Sequence, residues 1–119
     1  MSEKRILLEV GTGNDWHGGD YTKAAVRAVE DAIHHCSLIL LRTLDVDPTM
    51  TQVEITIGVQ KPDKVNPEVV KDVLPEGKVT VNVVNGGLDI PNRGPEDLSV
   101  IATAAIEVRL DLSATRRHD

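Results

Sequence analysis

Apolar residues along this chain change period several times, and each change marks an element. Residues 5–10, RILLEV, are β-rich and nearly unbroken in apolar character, which predicts a strand covered on one or both faces. After the polar, glycine-rich stretch GTGNDWHGGDYTK the period lengthens. Ala25, Val29, Ala32, Ile33 and Cys36 then fall on one stripe of a helix that Asp20 is placed to cap. Lys23, Arg27, Glu30, Asp31 and His34 lie elsewhere on that wheel, with Arg27 and Asp31 spaced for an i, i+4 ion pair. The stretch SLILLRTLDV fits either a helix extension or an apolar connector, and Pro48 ends any helix there. Strict alternation returns at Val53, Ile55, Ile57 and Val59, a second strand. Asn66, Pro67 and Glu68 open a short helix that turns Val69, Val70, Val73 and Leu74 inward before Pro75 and Gly77 stop it. Val79, Val81 and Val83 mark a third strand. Ala104, Ile106, Val108 and Leu110 mark a fourth, whose opposite face carries Glu107, Arg109 and Asp111.

The order is β-α-β-α-β-β, an α/β (α+β) plan with the long loop GGLDIPNRGPEDLS before the last strand. Right-handed crossovers lead to a mixed four-stranded sheet with both helices on one face, in a single domain spanning 1–119. The other face has no helix of its own and is expected to be buried against a second sheet. Composition sharpens that expectation. With no Phe, one Trp and one Tyr in 119 residues, the core must be built from Val, Ile, Leu and Ala, and so small a domain gains stability from subunit contacts. A homo-oligomer is therefore expected.

Charge excludes some partners. A formal net charge of −6 argues against nucleic acid or an anionic membrane surface, and the run Arg116, Arg117 and His118 is too short to reverse it. Cys36 is the sole cysteine, no apolar run approaches the roughly 18 residues of a membrane span, and the N-terminus reads as a short strand rather than a signal. A cytoplasmic location is the expectation.

The glycine-rich stretch carries the chemistry. It holds both aromatics, Trp16 and Tyr21, and Gly11, Gly13, Gly18 and Gly19 would allow positive φ and close backbone approach ahead of a helix N-terminus. It is not a dinucleotide fingerprint, because Trp16 stands where a third glycine belongs. Nor is it a P-loop, because Gly19 and Asp20 replace Lys and Ser or Thr. Asp15, His17 and Asp20 have metal-compatible donors. Cap and turn roles fit them better, so no metal and no cofactor is assigned. His34 and His35 diverge on the helix and read as surface residues. Lys23 sits in the first helical turn, where the macrodipole disfavours a cation. With Arg27 one turn on, it could clamp an anion, although a solvated face is the alternative. Asn85, Gly86 and Gly87, followed by Asp89, Pro91 and Arg93, form a second loop that either lines a cleft or is only a turn.

GTGNDWHGGDYTKAAVRAVEDAI, VEITIGV and VVNGGLDIP together resemble a family of short conserved hypothetical proteins of bacteria and some fungi, over nearly the whole chain. The resemblance points to Gly11, Gly13, Asp15, His17, Gly18, Asp20, Thr22, Lys23 and Arg27 as one block, with Gly86 and Gly87 as another. Ile39 and Leu40 replace a Pro-Gly associated with that family. The element order also resembles the Bacillus chorismate mutase-like fold, which implies a trimer, or a multiple of three, with ligands between subunits. A more distant similarity is to the ring-opening amidohydrolases of cyanuric acid and barbiturate, through Gly19, Asp20, Tyr21, Thr22 and Lys23 and through Asn85, Gly86 and Gly87. Here Asn85 stands in place of the family's serine and Leu8 in place of its lysine, so that chemistry does not carry over.

The expected function is binding, with or without turnover, of a small polar or anionic metabolite at the interfaces of a symmetric oligomer. Asp15, His17 and Lys23 are the catalytic candidates. Gly11, Gly13, Gly18, Asp20, Thr22, Arg27, Asn85, Gly86 and Gly87 are the ligand-binding candidates. In the enzyme reading, which would be hydrolase-like, His17 or Lys23 moves the proton and Asp15 orients it. The alternatives are a ring-opening amidohydrolase-like enzyme acting on a cyclic amide, and a structural or regulatory assembly protein without a ligand.

Overall fold

The computed structural model describes residues 3–34, 51–74, 78–93 and 97–111. The connector at 37–46, Pro48, His35, Cys36, the helix stop at 75–77 and the basic run at 116–118 lie outside the described residues. The element order is β1 (Glu3–Asp15), α1 (Tyr21–His34), β2 (Thr51–Val59), a 3-10 turn (Pro62–Lys64), α2 (Pro67–Lys71), β3 (Lys78–Asn85), β4 (Leu88–Pro91) and β5 (Leu98–Asp111).

The α+β class and the mixed sheet are as expected, with two corrections. The sheet has five strands rather than four, because residues 88–91 of the long loop pair with the start of β5, Leu88 opposite Ile101 and Pro91 opposite Leu98. The first strand does not stop at Val10 but runs on to Asp15, so GTGND is strand and only residues 16–20 turn the chain into α1. Glycine is a weak strand former, yet β5 offers a continuous ladder that pairs Gly11 with Ala104 and Gly13 with Ala102.

The strand order is β1-β5-β2-β3, with β4 in line with β2 along the same side of β5. β5 is antiparallel to β1 and β2, while β2 and β3 are parallel. β1, β2 and β3 therefore all run the same way, and the turns after β1 and β3 leave from one end of the sheet.

Both helices pack together, α1 over β1, β5 and β2 and α2 over β3. The core between helices and sheet is aliphatic. Val53, Ile55, Ile57 and Val59 of β2 and Val100, Ala102, Ala104, Ile106 and Val108 of β5 meet Ala24, Ala25, Ala28, Val29 and Ala32 of α1. Each buried Val or Ile contributes about 1.5–3 kcal/mol relative to exposure. Among the inward residues expected of α2, Val70 is buried and Val69 is 44% exposed, because five helical residues make little more than one turn. Val73 and Leu74 pack partly buried against the core, and Asn66 caps α2 as expected, accepting the Glu68 N–H at 3.1 Å.

The face of the sheet turned away from the helices is covered by nothing among the described residues. Across it run the rows Val10, Ala105, Thr56 and Asn82, then Thr12, Thr103, Gly58 and Val84. Five of the exposed large apolar side chains, Leu8, Val10, Val84, Leu88 and Ile90, belong to this face. Toward its other end Arg109 bridges Glu54 at 3.2 Å and Glu107 at 3.1 Å. Small central side chains leave a shallow concavity of about 600 Å³ bordered by Val10, Thr12, Thr56, Val84, Thr103 and Ala105.

Candidate functional site

Three groups of the expected residues lie at the end of the sheet where β1 and β3 finish. The first surrounds Asp15. Strand alternation turns this carboxylate to the helix side, where it is 6% exposed. Its Oδ2 accepts the Asp20 N–H at 2.9 Å, and Asp20 Oδ1 in turn accepts the Lys23 N–H at 3.0 Å. The opening donors of α1 are thus met by two acidic side chains of the chain itself, as an N-cap requires. Lys23 Nζ and Arg27 Nη1 approach Asp15 Oδ1 at 4.0 and 3.9 Å, inside ion-pair range but beyond hydrogen-bond distance.

Arg27 also donates to the Asn14 carbonyl at 2.7 Å, and Asp31 Oδ2 accepts the Thr12 N–H at 2.9 Å. Both backbone groups lie on the outer edge of β1. Two charged side chains, four residues apart on α1, therefore satisfy an edge that would otherwise invite another strand. The i, i+4 spacing seen in the sequence serves this edge as well as any solvated pair.

The second group centres on His17, whose ring is 74% exposed. The carboxylate beside His17 is that of Asp97 rather than Asp15: Asp97 Oδ1 lies 2.7 Å from His17 Nδ1. That hydrogen bond, aided by one from Asn92, holds the Asp97 carboxyl below its usual range against a smaller opposing effect of burial. Asn92 ties the arrangement together. Its N–H donates to the Asp97 carbonyl at 2.8 Å, and its amide reaches Ser99 Oγ at 2.9 Å and the Trp16 carbonyl at 3.2 Å. Ser99 Oγ donates to the same carbonyl at 2.5 Å, and the Gly19 N–H to the Leu98 carbonyl at 3.2 Å. The turn backbone is pinned while the Trp16 side chain stays 60% exposed.

The third group is Asn85, Gly86 and Gly87. Asn85 donates to the Gln60 carbonyl, and Gln60 donates to the Gly86 and Gly87 carbonyls, all at 3.1 Å. β1 and β3 are three strand spacings apart, about 14 Å, which is wider than a small metabolite. The structure does not bring this loop into one contact set with Asp15 and Lys23.

The remaining candidates have structural places. Gly11 and Gly13 lie under α1: a Cβ on Gly11 would stand 2.5 Å from the Ala28 carbonyl oxygen, and one on Gly13 would stand 2.6 Å from the Arg27 carbonyl carbon. Of the two freedoms expected of these glycines, Gly11 and Gly13 use the close backbone approach and not the positive φ. Gly19 has a positive φ, at 62°, as does Gly87. Gly18 keeps room for Asp15, whose Oδ2 a Cβ would approach to 2.7 Å. Thr22 Oγ1 accepts the Asn66 N–H at 2.9 Å and so joins α1 to the start of α2. His34 is exposed, as expected.

Sequence reasoning missed Asp97, Asn92 and Ser99. Nothing local marks them, because they reach the turn only through the β4–β5 pairing. It also missed the meaning of Asp89. Tyr21, 3% exposed, donates its hydroxyl to Asp89 Oδ2, and the other Asp89 oxygen is buried without a partner among the described residues. Burial first, then Asp89, pushes the Tyr21 phenol up to about 12. Among the described residues no group of three or more His, Cys, Asp or Glu is arranged to hold a metal, and no helix is long and apolar enough to cross a membrane.

A family profile described as conserved hypothetical protein (Lin0512_fam) matches residues 5–108. Among solved structures, the chain is similar to an FtsZ-like protein of unknown function from Nostoc punctiforme. The two share 34% identity over 93% of this chain and 98% of that one, with a TM-score of 0.81. No curated protein matches.

Proposed function

We propose a function from the site alone for this chain, which belongs to the Lin0512 family of conserved hypothetical proteins: it binds a small polar or anionic metabolite beside the β1–α1 turn, where copies of the chain meet. The observation that carries this reading is the pair of half-exposed cations, Lys23 and Arg27, held 4.0 and 3.9 Å from one Asp15 oxygen. Among the described residues neither side chain makes a hydrogen-bonded ion pair, so the Lys23 ammonium and the remaining Arg27 N–H groups keep donors for an anionic group. Trp16 adds an exposed aromatic face on a turn whose backbone is fixed, which suits stacking by a planar ligand.

Self-association is part of the proposal. The open face is apolar and small near the turns and charged at Glu54, Glu107 and Arg109 toward the other end. Like meets like only if the symmetry axis runs along the strands, and that arrangement gathers the turns of all copies at one end. A trimer satisfies it and would place the metabolite at subunit interfaces.

The competing reading is an assembly protein without a ligand. It is favoured by the α1 donors already taken by Asp15 and Asp20, and by Gly11 and Gly13 serving helix packing. Native mass spectrometry of protein from its own host separates the two. A co-purifying small molecule supports binding, whereas a ligand-free assembly supports the alternative. Thermal-shift screening of carboxylates, cyclic imides and ureides against wild type and Lys23→Ala then tests the site. Identical responses from the two proteins remove Lys23 from it.

A further inference from the structure

We propose that Asp97 and His17 form a proton-transfer pair, in which Asp97 fixes the Nδ1–H form of the ring and leaves Nε2 as the proton acceptor for a ligand bearing an ionisable N–H or O–H. The inference rests on the metabolite-binding reading and adds to it a ligand class and a residue, Asp97, that the sequence does not single out.

The geometry carries the argument. An ionised carboxylate only accepts hydrogen bonds, so at 2.7 Å the proton between His17 and Asp97 belongs to Nδ1. A neutral imidazole carries one N–H, and the Nε2 lone pair is then directed away from Asp97. Free histidine prefers the opposite tautomer, so the fold imposes this one. It does so with a carboxylate that is itself held: Asn92 donates its backbone N–H to the Asp97 carbonyl and lies 3.4 Å by its amide from Asp97 Oδ1, while bonding Ser99 and the Trp16 carbonyl. Three chain segments therefore fix the carboxylate that holds the ring, and the ring itself stays 74% exposed. When Nε2 takes a proton from the ligand, the positive charge on the ring faces Asp97, and the electron pair of the broken bond stays on the ligand. His17 touches the ligand, and Asp97 is a positioning residue acting through His17.

Long-range ¹⁵N–¹H correlation spectroscopy of the full chain, in buffer alkaline enough to keep imidazoles neutral, reads the tautomer directly. The His17 signal is assigned by its loss in His17→Gln. The expected result is the Nδ1–H form in wild type, a shift toward Nε2–H in Asp97→Asn, and retention of Nδ1–H in Asn92→Ala, which loosens the turn without removing the carboxylate. Diethyl pyrocarbonate, followed residue by residue by mass spectrometry, is expected to acylate His17 severalfold more slowly in Asp97→Asn than in wild type. An Nε2–H ring in wild type overturns the proposal. So do equal acylation rates, and so does an Asn92→Ala variant that loses the tautomer as fully as Asp97→Asn, since Asp97 would then only staple the turn. If Asp97→Asn does not fold, wild type and Asn92→Ala decide. A Lys23-dependent thermal shift beside an Nε2–H ring leaves ligand binding standing and removes the pair, while the reverse outcome removes the ligand site and keeps the pair.

Discussion

Gly13 lies so close beneath Ala28 that the helix backbone occupies the place where a side chain would begin: a Cβ on Gly13 would press on the Ala28 amide nitrogen and stand 2.6 Å from the carbonyl carbon of Arg27. These neighbours are backbone, and no rotamer change relieves the contact. Gly13→Ala is therefore expected to destabilise the fold by about 3 kcal/mol, the upper end of ordinary overpacking. Urea unfolding measures it. A cost near zero would mean that α1 does not lie on β1 at this distance.

That contact shows what the sequence reveals and what it hides. The alternation at Val53, Ile55, Ile57 and Val59 and the stripe at Ala25, Val29 and Ala32 are local patterns, and each element lies where its pattern places it. Gly11 and Gly13 are ambiguous in the sequence because glycine has two uses, turning a chain and letting another backbone come close. Only the partner element tells them apart, and that partner, α1, follows in sequence but returns in space. Leu88 and Ile90 were hidden for a similar reason, since a four-residue strand has too few positions to declare a period. In the site, Asp15 and Lys23 are legible because one short strand–turn–helix run of the sequence holds both. The carboxylate that faces His17 lies 80 residues away, where only the β5 register brings it near.

Val10 and Val84 flank the concavity on opposite sides of the open sheet face, exposed by 63% and 46%. If this face is the contact between copies, wild type sediments as a multiple of 12.9 kDa. The double variant Val10→Lys, Val84→Lys is expected to sediment as single chains with unchanged circular dichroism, because unpaired charges cannot be buried across a symmetric contact. A wild-type monomer, or an assembly that survives both lysines, places the contact elsewhere.

Asp97 makes stability depend on pH at the acid end. Its carboxyl is held below the usual 3.8, first by the hydrogen bond from His17. A folded-state pKa below the unfolded one contributes stability that is fully present above about pH 4 and is lost as pH falls through the lowered value. The stability difference between wild type and Asp97→Asn should therefore shrink as pH falls below 3.8. Denaturant midpoints measured across that window check the sign. A difference that grows on acidification would contradict it.

Tyr21 reports on the opposite end of the pH scale, and it is the only tyrosine in the chain. Its side chain is buried and its hydroxyl donates to Asp89, so ionising it would place a negative charge away from water and beside a carboxylate. The phenol is accordingly raised from 10.0 to about 12, burial contributing most and Asp89 next. Because the folded value lies above the unfolded one, the associated stability is complete below pH 10 and drains away as pH rises toward 12. Phenolate absorbance should show one alkaline transition near pH 12 in the native protein, and one near 10 once denaturant has unfolded it. Asp89→Asn removes the charge but not the burial, so its native transition should fall between the two. Tyr21→Phe should remove the one donor that Asp89 has among the described residues and destabilise the protein by about 1–3 kcal/mol. A native transition near 10 with Asp89→Asn unchanged would show that the hydroxyl faces water rather than β4.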